Sequence, residues 1–146
     1  MKIDLRQLKR SGKEEEDFSF DFMADNSILT LPDAKFAGPV KITGTIEVVR
    51  NSARVEGTIE YQLVGLCSRC LEPASYEDSI SFDELYTNED DDNYHYEKDV
   101  VDLTQMVNEK IMLSLPYAIY CKDDCKGLCP VCGANLNNGP CNCNKI

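Results

Sequence analysis

The chain has 146 residues, 42% of them hydrophobic, enough for one ordinary domain with its own core. Its 26 acidic and 15 basic residues leave a net charge of −11, which argues against a broad phosphate-binding surface and favours a basic protein partner. No run approaches the roughly 18 consecutive apolar residues of a membrane helix, and Met1-Lys2-Ile3-Asp4-Leu5-Arg6 lacks the apolar block of an export signal. The expectation is a cytoplasmic protein with no membrane contact.

Residues 1–13 are locally basic, with Lys2, Arg6, Lys9, Arg10 and Lys13 against Asp4. Ile3, Leu5 and Leu8 predict the start of a strand. Glu14-Glu15-Glu16-Asp17 reverses the charge, and Phe18, Phe20 and Phe22 then alternate as a strand with one buried face does. Val40, Ile42, Ile46 and Val48 alternate before the turn Arg50-Asn51-Ser52, and Val55, Ile59, Tyr61 and Leu63 alternate after it. This is a hairpin signature. Gly44 and Gly57 inside these strands mark a bulge or close packing. Tyr76, Ile80 and Phe82 predict a third strand, which leaves Cys67-Ser68-Arg69-Cys70 at a tip between two strands.

Residues 88–97, with Asp90, Asp91, Asp92 and the single histidine His95, are acidic and lack an apolar period, as a solvated loop does. The Gly and distal Glu of a calcium-binding EF-hand loop are missing. A helix is predicted within 99–116, capped by Asp102 with Gln105 completing a capping box, and with Val101 and Met106 as a hydrophobic staple. Leu103, Met106, Val107, Lys110, Ile111 and Ser114 share one face, a mostly apolar stripe suited to packing on a sheet. Pro116 ends the helix.

Together these elements predict one domain over 1–146 of α+β class. Residues 1–98 form a mainly antiparallel β-sheet, open or closed into a barrel. Residues 99–116 hold one principal helix, and 117–146 form a Cys-rich, zinc-bound tail. The tail has too few large apolar residues to fold by burial alone, so its six cysteines need a metal to order it.

Cys129-Pro130-Val131-Cys132-Gly133 is a zinc-knuckle motif: two intervening residues let both thiolates reach one tetrahedral ion at about 2.3 Å. Cys67-Ser68-Arg69-Cys70 is a second knuckle, weaker because Leu71 stands where the first has glycine. Cys121 with Cys125, and Cys141 with Cys143, are looser chelating pairs. Eight ligands make two Cys₄ sites, and the expected occupants are two structural Zn²⁺ ions; iron also accepts four thiolates and is the alternative metal. The favoured pairing joins Cys67, Cys70, Cys121 and Cys125 in one site and Cys129, Cys132, Cys141 and Cys143 in the other. The rival pairing joins the two knuckles as a ribbon. A disulfide framework fits a reducing compartment poorly.

Nothing in the pattern points to catalysis. Four thiolates close each site, whereas a catalytic zinc keeps an open position. No nucleophile motif or phosphate-binding glycine loop is present. The alternative is a zinc-binding thiol-redox or RNA-processing enzyme. Candidate contacts for a partner are Lys2, Arg6, Lys9, Arg10 and Lys13, with Arg69, Lys122 and Lys126 beside the knuckles.

The order of these features carries a family resemblance. A strand ends in Leu66-Cys67-Ser68-Arg69-Cys70-Leu71-Glu72-Pro73, and an acidic stretch follows. Then come Asp102-Leu103, Val107, Glu109, Ile111, Leu113 and Leu115-Pro116, and a tail with Gly127-Leu128-Cys129-Pro130-Val131-Cys132-Gly133 and Asn135-Leu136. From about Pro39 onward this resembles the YceD family, the bacterial and plastid large ribosomal RNA subunit accumulation proteins. The resemblance implies a non-enzymatic role in 23S rRNA accumulation or processing and in ribosome assembly. The partners it implies are ribosomal proteins or rRNA-processing factors, with any RNA contact indirect or local. Cysteine content varies within that family, which implies a structural metal here.

Overall fold

In the computed structural model the described residues are 1–89, 91–141 and 143. Asp90 of the acidic loop, Asn142 between the last two cysteines, and residues 144–146 lie outside them. The elements run β1 (Lys2–Asp4), α1 (Leu5–Arg10), β2 (Glu15–Phe22), β3 (Lys35–Phe36), β4 (Val40–Val49), β5 (Ser52–Leu66), β6 (Pro73–Thr87), β7 (Tyr94–His95), β8 (Val100–Asp102) and α2 (Thr104–Ser114). No described helix is long and apolar enough to cross a membrane.

The main sheet has the order β2-β4-β5-β6-β7, with β3 also paired to β5. It is open, so the barrel-like alternative does not form. All its pairs are antiparallel except β6 with β7. A small second sheet pairs β1 with β8. The long strands arise from the period-two pattern. Odd-numbered positions of β5 such as Val55, Ile59, Tyr61 and Leu63 are buried, while Arg54, Glu56, Glu60 and Gln62 are exposed. Val40, Ile42 and Ile46 of β4 and Phe82 and Tyr86 of β6 join them in the core.

Helix α2 supplies Met106, Val107 and Ile111 to this core. Two inward acids of β6 are answered: Lys110 of α2 pairs with Glu84, and the Tyr61 hydroxyl lies 2.9 Å from Ser114 Oγ and 3.4 Å from Asp78 Oδ2. These contacts fix the helix along β5 and β6 and so set where the chain emerges after Pro116.

Local sequence reading errs at three places. Only Ile3 of the predicted N-terminal apolar set is in a strand. Leu5 and Leu8 are buried on one face of α1, because Asp4 Oδ1 accepts the Arg6 N–H at 2.9 Å and caps a helix. Asp102 does not start α2 and no capping box forms. Asp102 still pairs with Lys2, its carboxylate accepts the N–H and hydroxyl of Thr104, and Gln105 bonds Glu109 instead. The acidic loop carries β7, parallel to the end of β6, with the Tyr94 ring stacked on Tyr86 at 5.3 Å.

Gly44 and Gly57 lie opposite each other in unbroken register, so they mark close packing and no bulge. The same row continues to Phe18 on β2 and Phe82 on β6. A Cβ on Gly57 would stand 2.1 Å from the Thr43 carbonyl oxygen and 2.6 Å from Gly44 Cα. Any side chain here forces two backbones apart. Gly57→Ala should therefore cost about 2–3 kcal/mol, read as a fall of about 5–10 °C in melting temperature. Gly65→Ala, where the nearest atom to a new Cβ is 3.4 Å away, should shift it far less. Equal melting temperatures for the two variants would refute this account of the glycine pair.

Candidate metal centres

β5 ends at Leu66, and β6 begins seven residues later at Pro73. The intervening turn is closed by Leu71 N–H donating to the Cys67 carbonyl at 2.9 Å and Cys67 N–H to the Glu72 carbonyl at 2.8 Å. Leu71 adopts φ +63°, the left-handed conformation that glycine would take. The knuckle thus forms without its glycine. The chain leaving α2 is hung on this turn: Ser68 N–H donates to the Ile119 carbonyl at 2.8 Å. That bond delivers Cys121 and Cys125.

The Sγ atoms of Cys67, Cys70, Cys121 and Cys125 lie within 4.8 Å of one another. Cys67 is 3.6 Å from Cys125, and Cys70 is 3.6 Å from Cys121. Cys67, Cys70 and Cys125 are buried, and Cys121 is exposed. Arg69, between the first two cysteines, clamps the opposing loop. Its guanidinium donates to the carbonyls of Cys125 and Asp123 and lies 4.5 Å over the Tyr120 ring.

The second cluster is built within the tail. Gly133 N–H donates to the Cys129 carbonyl at 2.9 Å, Cys129 N–H to the Ala134 carbonyl at 2.8 Å, and Leu136 N–H to the Gly127 carbonyl at 2.9 Å. Gly133 has φ +75°, as the motif predicts. The Sγ atoms of Cys129, Cys132, Cys141 and Cys143 also lie within 4.8 Å of one another, with Cys141 3.4 Å from Cys129. The knuckles do not join as a ribbon; each has its own looser pair.

Both clusters have the donor set and spacing of a tetrahedral thiolate site. An ion at about 2.3 Å from four sulfurs places them about 3.8 Å apart. The observed 3.4–3.6 Å contacts approach that value and are far from the roughly 2.05 Å of a disulfide.

The electrostatics fit a cation as well. Burial pushes the Cys67 thiol up, but the N–H groups of Cys70, Cys121 and Arg69 outweigh it and hold it at about 6. The N–H groups of Cys132 and Val131 do the same for Cys129, also to about 6. Cys121 is pushed up to about 12 by burial and by the thiols of Cys70 and Cys125. Cys143 is pushed up to about 12 by Cys132 and by burial. In each cluster one sulfur ionises readily and a neighbour then resists. A divalent cation removes that conflict by replacing the protons.

Asn137 was not singled out by its sequence context, a run of asparagines between two cysteine pairs. Its side-chain amide donates to Cys125 Sγ at 3.3 Å and its Oδ1 accepts the Lys126 N–H at 2.9 Å. It lowers the Cys125 thiol. A residue carried by the second cluster's segment therefore braces the first.

The candidate cations do not all lie together. Lys13 adjoins Glu14, whose carbonyl accepts Val48 N–H beside the β4–β5 turn. Arg69, Lys122 and Lys126 lie past the other end of β5, whose 15 residues span roughly 45–50 Å. Arg6 and Lys9 are also ion-paired, with Asp4 and Asp99. The positions form no single basic surface.

A family model described as Large ribosomal RNA subunit accumulation protein YceD matches residues 55–146. The uncharacterized protein Rv2926c of Mycobacterium tuberculosis is 33% identical over 104 residues, covering 65% of this chain and 50% of its own length. YlbN of Bacillus subtilis, also an uncharacterized protein, is 31% identical over 132 residues, 85% of this chain and 76% of its own. The chloroplastic Large ribosomal RNA subunit accumulation protein YCED homolog 1 of Arabidopsis thaliana is 32% identical over 57 residues, 38% of this chain and 18% of its own. The chain spans about half the length of the mycobacterial relatives it matches. No solved structure matches it. The family match begins within β5 and takes in all eight cysteines, well over half of the sequence, and the chain belongs to the YceD family.

Proposed function

We propose that this protein is a non-enzymatic cytoplasmic factor in 23S rRNA accumulation and large-subunit assembly, braced by two structural Zn²⁺ ions. The family description supports the rRNA role. The observation that carries the structural reading of the metal is closure: each cluster gathers four sulfurs about one point. A Cys₄ site of that kind has no position left for a water or substrate. The two thiols held near 6, Cys67 and Cys129, are buried, whereas a redox or nucleophilic cysteine needs access. His95, the single imidazole, sits in β7 beside Thr87, at the far end of the sheet from Cys67.

With a net charge of −11, deepened by a further four when eight thiolates hold two divalent ions, the protein suits a basic partner. A ribosomal protein or an rRNA-processing factor has that chemistry, and RNA contact is indirect or local.

Native mass spectrometry of protein purified under reducing conditions should show two zinc ions per chain, and Cys67→Ser should retain one. A chain that keeps both, or never carries any, would contradict the two-site reading. Asn137→Ala should weaken metal retention at the first cluster by about 10–100-fold in competition with a chelator. Unchanged retention would show that its amide does not support Cys125. In cells, deletion should lower the ratio of 23S to 16S rRNA, and Cys67→Ser/Cys121→Ser should fail to restore it. A normal ratio after deletion would overturn the rRNA role.

A further inference from the structure

β2 is the terminal strand of the main sheet and pairs on one side only, with β4. The bond from Val48 N–H to the Glu14 carbonyl, 2.7 Å, sets the phase of that ladder. Even-numbered residues of β2 exchange hydrogen bonds with β4, so the N–H and C=O groups of Glu15, Asp17, Ser19 and Asp21 face away from it. Among the described residues no other hydrogen bond reaches these backbone groups. All four residues are exposed.

Natural sheets protect such an edge with charged side chains, lysine above all, with proline, a bulge or a covering segment. Of these β2 has charge alone. It is eight residues long, unbroken in register, and free of proline. That charge is of one sign. Glu14, Glu15, Glu16, Asp17 and Asp21 lie in a stretch with no Lys, Arg or His from residue 14 to residue 34. None of the five is ion-paired among the described residues, although Lys41 lies across from Asp21. Glu15 instead faces Glu47 across the ladder.

We propose that the open edge of β2 takes an extended, arginine- or lysine-rich segment of another protein as an added strand. Alternate side chains of that strand would stand beside Glu15, Asp17 and Asp21 and are cationic. The others would stand beside Phe18, Phe20 and Phe22, which are half-buried on the core face, and are apolar. Charge selects this occupant over two others. A second copy would set its carboxylates against the same row, which destabilises cross-strand pairing. A polyanion such as RNA would be repelled. The inference deepens the reading above by naming where a basic partner docks.

The test is amide hydrogen exchange by NMR on the full chain with a short peptide of alternating arginine and valine. Exchange should slow at Glu15, Asp17, Ser19 and Asp21 and stay unchanged at Glu16, Phe18 and Phe20. Ser19→Pro should abolish the slowing while leaving the fold intact, because the N–H it removes points away from β4. Asp17→Lys/Asp21→Lys keeps every backbone group, should weaken binding about tenfold, and carries the test if the proline variant fails to fold. Binding without slowed exchange at the four amides would overturn the proposal. So would equal slowing by a glutamate–valine peptide, self-association through β2, or protection of the same amides by an oligouridine. Only purified protein and peptide are used, so failure here leaves the 23S reading standing, and a normal 23S ratio after deletion leaves this edge standing.

Discussion

Four sulfurs from two segments meet at one point: Cys67 and Cys125 are 58 residues apart in sequence, Cys70 and Cys121 are 51. The β5–β6 hairpin tip and the Cys-rich tail depend on that meeting. The long β5–β6 hairpin would otherwise project its tip beyond the core, and the chain after α2 has only Leu115 and Ile119 packed on the main core and Leu128 packed on the cluster itself among its described residues. A metal ion held by these four sulfurs would close a loop of this length and remove about 4 kcal/mol of conformational entropy from the unfolded chain. That is a large share of the roughly 5–15 kcal/mol by which an ordinary domain is stable.

The two clusters are linked through contacts of their loops. α2 packs on the sheet and aims the chain toward the knuckle. Ser68 holds Ile119, and Arg69 holds the carbonyls of Asp123 and Cys125. The tail folds back through Gly127 and Leu136, where a Cβ at Gly127, itself at φ +78°, would come 3.3 Å from the Arg69 carbonyl. Asn137 closes the circuit by returning an amide to Cys125. In the proposed function this assembly would be a scaffold, and the acidic edge of β2 the surface that meets a partner.

Much of this was legible in the sequence, for identifiable physical reasons. Period-two burial located β4, β5 and β6 because one face of each contributes to the core. The cysteine spacings named the two groups because a pair bridged by two residues can reach one ion. The failures are local competitions. Asp4 can cap a helix as readily as continue a strand, and the Arg6 N–H decides it. Asp102 is held in β8 by Lys2, a partner a hundred residues away. Leu71 takes a conformation that its type rarely adopts, because the hydrogen bonds from Leu71 to Cys67 and from Cys67 to Glu72 close the turn around it. Asn137, and the clamping role of Arg69, were hidden for the same reason: their partners are distant in sequence and appear only once the chain has folded.

X-ray absorption at the zinc edge, on protein purified under reducing conditions, reads the ligands of both clusters at once. The expected spectrum is a shell of four sulfurs at about 2.3 Å around each ion, with no light-atom ligand. A nitrogen or oxygen in that shell would reveal an open site and contradict a purely structural metal.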